Sequence, residues 1–151
     1  MDAKVDNDAM SGDLQRFVDA QDGDGTYERA LAELRAGRKV SHWMWFVFPQ
    51  RAGLGQSAMS REYAIDSPEE ARAYVEHPVL GPRLVECAEA LLTHEDKSAE
   101  ETMGGIDAVK LRSSMTLFAR VAPEQPVFAQ VLDRYFDGAP DPAGWFVGGA
   151  P

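Results

Sequence analysis

Apolar residues recur at helical spacing along nearly the whole chain. Leu14, Phe17, Val18 and Gln21 share one side of a segment that Asp13 can cap and that Asp22-Gly23-Asp24-Gly25 breaks. Thr26 reads as the next cap, with Tyr27, Ala30, Leu31 and Leu34 as the apolar stripe and Gly37 as the stop. Ser67-Pro68-Glu69-Glu70 combines a Ser cap, a first-turn Pro and a Glu at the third position, so a helix starts there and ends before His77-Pro78. Leu80, Leu84, Ala88 and Leu91 mark a helix from about Pro78 to Thr93. Ser98 with Glu101 forms a capping box for a short helix stopped by Gly104-Gly105. Asp107 reads as the cap of a long helix to Ala122, aligned on Leu111, Met115 and Phe118 and ended by Pro123. Val127 to Phe136 is the last clear helix, closed by Gly138.

No alternating strand pattern of useful length interrupts this series. Trp43–Phe48 alone could be a short buried strand, because periodicity cannot separate strand from helix in so short a run. The pattern predicts an all-α fold, a single compact multi-helical domain over residues 13–142. Residues 1–12 are polar and aperiodic and read as a disordered tail.

The densest feature is Ser41-His42-Trp43-Met44-Trp45-Phe46-Val47-Phe48-Pro49-Gln50, followed at once by Gly53-Leu54-Gly55-Gln56-Ser57. Each aromatic buries a large area and each Trp N–H wants a partner, so this block is the centre of the fold or the floor of a cleft. Composition narrows the function classes. The 151 residues suffice for one domain with a real core, and 44% hydrophobic with 26% charged residues is the balance of a globular protein. A net charge of −10 opposes bulk binding to nucleic acid or anionic lipid, although a local basic pocket remains compatible with it. The single Cys87, set among Leu84, Ala88 and Leu91, reads as a buried bystander thiol. No apolar run approaches a membrane span and Met1-Asp2-Ala3-Lys4 is no secretion signal, so a cytoplasmic protein is expected.

Candidate chemistry gathers at three places. Ser41 and His42 lead into the aromatic block, where His can serve as acid, base or ligand, or Ser41 can simply cap and His42 pack. His77 and His94 have no ligand spacing to His42 or Cys87, so neither metal nor cofactor is expected. Asp22-Gly23-Asp24-Gly25 lacks the ligand series and closing Glu of an EF-hand. Gly53, Gly55 and Ser57 offer amides ahead of a helix starting near Ala58, either a tight turn or an anion cradle, without the Lys of a phosphate loop. Lys110, Ser113 and Ser114, three and four residues apart, are expected to share a helix face, solvated or phosphate-binding, with Arg112 on the flank.

Four strings together resemble the bacterial family called domain of unknown function 1810. They are Arg16-Phe17-Val18-Asp19-Ala20-Gln21, the run from Ala30 to Lys39, the aromatic block, and Lys110-Leu111-Arg112-Ser113-Ser114-Met115-Thr116-Leu117-Phe118. Tyr63-Ala64-Ile65 and His77 to Leu84 extend the match over about residues 13–142. The resemblance implies a compact, largely helical domain and no established activity. Members are sometimes labelled calpastatin, a disordered repeat protein that this chain does not resemble. One departure stands out: after Asp141 the family has a Thr-Leu-rich segment, whereas residues 143–151 here are atypical and glycine-rich, which leaves docking of this end open.

A second resemblance supplies a reaction. The aromatic block, Ser60-x-x-Tyr63-Ala64, then Asp107-x-x-Lys110 with Met115 and Phe118 downstream, is similar to NADAR domains, although their Ser-Glu-His pattern is missing. That likeness implies an ADP-ribose-like or other phosphorylated ligand and cleavage of an N-glycosidic bond through an oxocarbenium-like state. Trp43 or Trp45 would stack on a base, the Gly53–Ser57 amides and Lys110 would hold phosphate, and Asp107 would stabilise ribose charge. Gln50 and Tyr63 complete the expected ligand contacts. The competing expectation is a non-catalytic binding or interaction module, its protein partner unknown, in which the aromatic block is simply core.

Overall fold

The computed structural model describes residues 14–146, so the tail at 1–12, the Asp13 cap and residues 147–151 lie outside the described residues. The fold is all-α. Helix α1 spans 14–22 and a 3-10 turn at Gly23–Gly25 leads into α2 (Thr26–Ala36). Then follow α3 (Met44–Val47), α4 (Ala58–Glu62), α5 (Pro68–Glu76), α6 (Leu80–Leu92), α7 (Ala99–Met103), α8 (Gly105–Val121) and α9 (Val127–Phe136), with a 3-10 turn at Pro142–Gly144. No strand occurs among the described residues, only an isolated bridge between Arg51 and Ile65. None of the described helices is long and apolar enough to cross a membrane.

Two helices organise the packing. Helix α6 packs on α2, α5 and α9, while α8 packs on α5, α7, α9 and the Pro142–Gly144 turn, so α5 and α9 bridge the pair. A spine of rings crosses the centre from Phe17 to Tyr74 (5.2 Å), Tyr74 to Phe118 (5.4 Å) and Phe118 to Phe128 (5.7 Å). Gln21 is the polar residue at its edge. Its amide nitrogen donates to the Phe46 carbonyl (2.7 Å) and the Tyr74 hydroxyl (3.2 Å), and its oxygen accepts from Arg83 (3.2 Å). A buried amide so fully used costs little to desolvate.

The capping chemistry places most boundaries. Ser67 accepts from the Glu70 amide with Pro68 in the first turn, and Ser98 with Glu101 forms the reciprocal box. Gly37 ends α2 at φ +77°. Two local expectations are corrected. Gly25, left-handed at φ +66°, caps α2, and Thr26 is already helical with its hydroxyl turned back to the Gly23 carbonyl. Gly104, at φ +88°, both ends α7 and opens α8, which leaves Asp107 in the first turn rather than at the cap. The Trp43–Phe48 run, which periodicity leaves open between strand and helix, holds the one-turn helix α3, with Trp43 and Phe48 as its flanking residues.

The C-terminal end docks as far as Phe146. Arg112 donates to the carbonyls of Ala139 (2.8 Å) and Pro140 (3.0 Å), and Arg120 lies 4.3 Å above the Trp145 ring. Gly144 sits so close to α8 that a Cβ there would come within 2.7 Å of the Ser113 carbonyl. Burial pushes the Cys87 thiol up to about 12, and His77 accepts the Val79 and Leu80 amides through Nδ1.

Trp43 is fully buried against Phe48, with ring centres 6.3 Å apart. Trp43→Ala should therefore cost about 3–5 kcal/mol in urea denaturation, as deletion of a buried aromatic does, and half-buried Phe46→Ala distinctly less. A loss below about 1 kcal/mol at Trp43 would contradict its place in the core.

Candidate functional site

The aromatic block is positioned by a single carboxylate from α2. Glu33 Oε1 accepts from the Val40 amide (2.8 Å), the Ser41 amide (3.0 Å) and the Trp43 indole N–H (2.8 Å), while Oε2 accepts from the Ser41 hydroxyl (2.6 Å). Burial by itself would raise the Glu33 carboxyl, but the Ser41 hydroxyl, the two amides and the indole outweigh it and hold the group down at about 2. This clasp turns the Trp43 ring inward. The one-turn helix that follows then presents Trp45 on the opposite side, half-buried at the surface.

The loop after the block is pinned at both ends. The Ile65 amide donates to the Gln50 carbonyl (2.9 Å) and the Ala52 amide to the Ile65 carbonyl (2.8 Å). Ser57 caps α4 by accepting the Ser60 amide (3.1 Å), and the two hydroxyls lie 2.8 Å apart. Gly55 runs against this pair: a Cβ there would meet Ser60 Oγ at 2.3 Å, so only bare backbone fits. Arg51 ties the loop to the far end of the chain by donating to the Ala143 carbonyl (2.7 Å).

Between this loop and the start of α8 lies a cleft in two lobes. One, of about 380 Å³, is lined by Lys39, His42, Met44, Trp45, Met103, the Gly104–Asp107 turn and Lys110. The other, of about 410 Å³, is lined by Gln50, Leu54, Gly55, Ser60, Ile106, Val109, Lys110, Asp141 and Ala143. A narrow space of about 10 Å³, room for one water, lies against Trp45, Gln50, Gly55, Ser60, Tyr63 and Lys110. Lys110 borders all three spaces, with Nζ 5.0 Å from the centre of the Trp45 ring. Asp107 faces two cations, Lys39 at 2.9 Å and Lys110 at 3.7 Å. Lys39 also donates to the Ser41 carbonyl (2.6 Å) and stands 4.8 Å over Trp43. Lys39, Arg51 and Lys110 against Asp107 and Asp141 make this region locally cationic in a chain of net charge −10.

The structure thus brings together His42, Trp45, Gln50, Gly55, Tyr63, Asp107 and Lys110 on one cleft. Others stand apart. Trp43 is enclosed in the core and offers no ring face to a ligand. Ser113 and Ser114 are buried on α8 because that helix is covered on several sides, so they do not share an open face with Lys110. Ser41 is taken up by Glu33, and Gly53 and Ser57 are exposed outside the lining. Reading the sequence alone misses Glu33, Lys39, Met103 and Ile106. Glu33 lies inside α2, Lys39 two residues past Gly37, and Met103 and Ile106 flank Gly104-Gly105, positions that carry no sequence signal of a site. No cluster able to hold a metal occurs among the described residues.

A family model described as a protein of unknown function (DUF1810) matches residues 11–145. The crystal structure of the conserved hypothetical protein Rv1873 from Mycobacterium tuberculosis is similar, at 48% identity over 87% of this chain and 93% of that one, with a TM-score of 0.84. No protein with a curated description matches.

The Glu33 clasp has a pH signature. Its carboxyl is held at about 2 against an ordinary 4.5, so its contribution to stability is complete above pH 4.5 and is lost as pH falls toward 2. Allowing for solvent screening of a partly exposed group, that contribution is about 1–2 kcal/mol. Acid titration of the urea midpoint should show this loss in the native chain and a smaller one in Glu33→Gln. Identical acid slopes would contradict the clasp.

Proposed function

Since the chain belongs to the DUF1810 family of proteins of unknown function, we propose from its cleft that it binds a small phosphorylated, nucleotide-like ligand across Lys110 and Trp45. The observation that carries this reading is Lys110 Nζ held 5.0 Å over the Trp45 ring at the junction of two lobes. An ammonium beside an indole face is suited to a ligand that joins an anion to a planar base. Both lobes fall within the roughly 300–1,000 Å³ range of small-molecule sites. Gly55 leaves the backbone bare on one wall, and Gln50 and Ser60 supply further hydrogen-bonding groups there.

The reaction assigned to the site is cleavage of an N-glycosidic bond in an ADP-ribose-like ligand. Water adds to the anomeric carbon as the C–N bond breaks, and the nitrogen leaves with a proton. Asp107, its charge oriented by Lys39, faces the lobe where positive charge would develop on the ribose. Lys110 would hold phosphate. A second reading, a binding module without chemistry, is favoured by Ile106 and Val109, which are 77% and 64% exposed on the cleft rim.

Thermal shift and calorimetry against ADP, ADP-ribose and pyrophosphate test the proposal. A ligand at a hundred times its Kd should add about 2.7 kcal/mol of stability. Lys110→Ala should abolish that gain and leave the ligand-free melting temperature within a few degrees, since a half-exposed helix position accepts Ala. Free base appearing in the wild-type incubation, and absent with Asp107→Asn, would support the cleavage step. Binding without base release leaves the module reading. No stabilisation by any of the three ligands sinks the site.

A further inference from the structure

We propose that the lobe of about 410 Å³ is a second subsite, taking an uncharged, nucleoside-sized group on the far side of the ligand's phosphate. The ligand class is then a phosphodiester or pyrophosphate that joins two such groups, rather than a nucleotide with a terminal phosphate. The second subsite rests on the anion site proposed above.

Shared walls give the order of the spaces along the cleft. The narrow space shares Met44 and Trp45 with the 380 Å³ lobe, and Gln50, Gly55 and Ser60 with the 410 Å³ lobe. It therefore lies between them. Charge follows the same order. In the first lobe Asp107 takes Lys39 on one oxygen (2.9 Å) and Lys110 on the other (3.7 Å), so one carboxylate faces two ammonium groups. Arg51 borders the middle space and spends Nε and Nη1 on the Ala143 and Ala52 carbonyls. Those acceptors are neutral, and Arg51 makes no ion pair among the described residues, so its charge stands uncancelled. In the second lobe Lys110 is the lone cation of the lining, and Asp141 stands on the wall. Positive charge is thus concentrated at the middle, and an anion moving on toward Asp141 would lose attraction.

A phosphate held at the middle leaves the second lobe to an uncharged group. The two lobes are alike in volume, about 380 and 410 Å³, so they suit groups of similar size. On the α8 side Ile106 and Val109 line the second lobe and are largely exposed, apolar surface that a base or sugar face would cover. On the loop side the Gln50 side-chain amide has no hydrogen-bond partner among the described residues. It can both donate to and accept from the edge of such a group.

Calorimetry with pyrophosphate, ADP and diadenosine pyrophosphate tests the second subsite. ADP carries the higher negative charge at mildly alkaline pH, because a terminal phosphate ionises a second time near about pH 6. A plain cation site therefore prefers ADP. With a second subsite the order reverses, and diadenosine pyrophosphate should bind the wild-type protein at least about tenfold more tightly than ADP. Val109 borders the second lobe and not the first, and Val109→Gln alters no charge. That variant should cut the preference at least about threefold and leave pyrophosphate affinity unchanged.

This pattern, with the second adenosine in the 410 Å³ lobe in a crystal structure of the complex, supports the inference. ADP binding as tightly as diadenosine pyrophosphate would overturn it and leave the anion site standing. A preference untouched by Val109→Gln, or a crystal structure with the second adenosine in solvent, would overturn it as well. Failure of pyrophosphate to bind the wild-type protein would overturn the anion site itself, and the second subsite with it.

Discussion

Four donors converging on one carboxylate set the geometry on which the cleft depends. Glu33 leaves α2 and gathers the Val40 and Ser41 amides, the Ser41 hydroxyl and the Trp43 indole. These groups follow a helix end, where the chain would otherwise be free to leave in several directions. Capturing two consecutive amides fixes the backbone, and capturing the indole fixes the first large ring. From there the placement of Trp45 follows, because two residues of helical backbone rotate about half a turn and carry it to the other side. The same anchored segment delivers Lys39 to Asp107, so the charge pattern of the cleft descends from the same contact.

Much of the helical scaffold could be read directly from residue order. Ser67-Pro68 and Ser98 with Glu101 are local chemistry, complete within four residues, and the helices start where those signals stand. The glycine-determined boundaries were less legible. Gly25 and Gly104 act through positive φ, a property that neighbouring Thr26 and Asp107 can mask because they look like better caps. The aromatic block was ambiguous for another reason. Its residues are all apolar enough for the core, and only Glu33, ten positions upstream of Trp43, decides which ring turns inward.

Ser113 and Ser114 show a different limit. Spacing along a helix correctly groups residues by face, but it assumes that one face is open. Helix α8 has α5, α7, α9 and the Pro142–Gly144 turn around it, so small hydroxyls there serve close packing. Lys110 escapes this enclosure because it lies near the start of the helix, where the surrounding elements fall away and the cleft begins. The Lys39–Asp107 contact was invisible for the opposite reason: it joins segments far apart in sequence, and nothing in either segment names the other as its partner.

The Arg51–Ala143 contact bears on how the protein is made. It joins the loop after the aromatic block to a segment that follows every helix in chain order, and that segment contributes Asp141 and Ala143 to one lobe. A chain emerging from the ribosome can pack its early helices as they appear, since domains generally gain structure from the N-terminal side first. The cleft cannot finish that way. Its outer wall follows the helices α1 to α9 in chain order, so during translation those nascent helices precede any competent site.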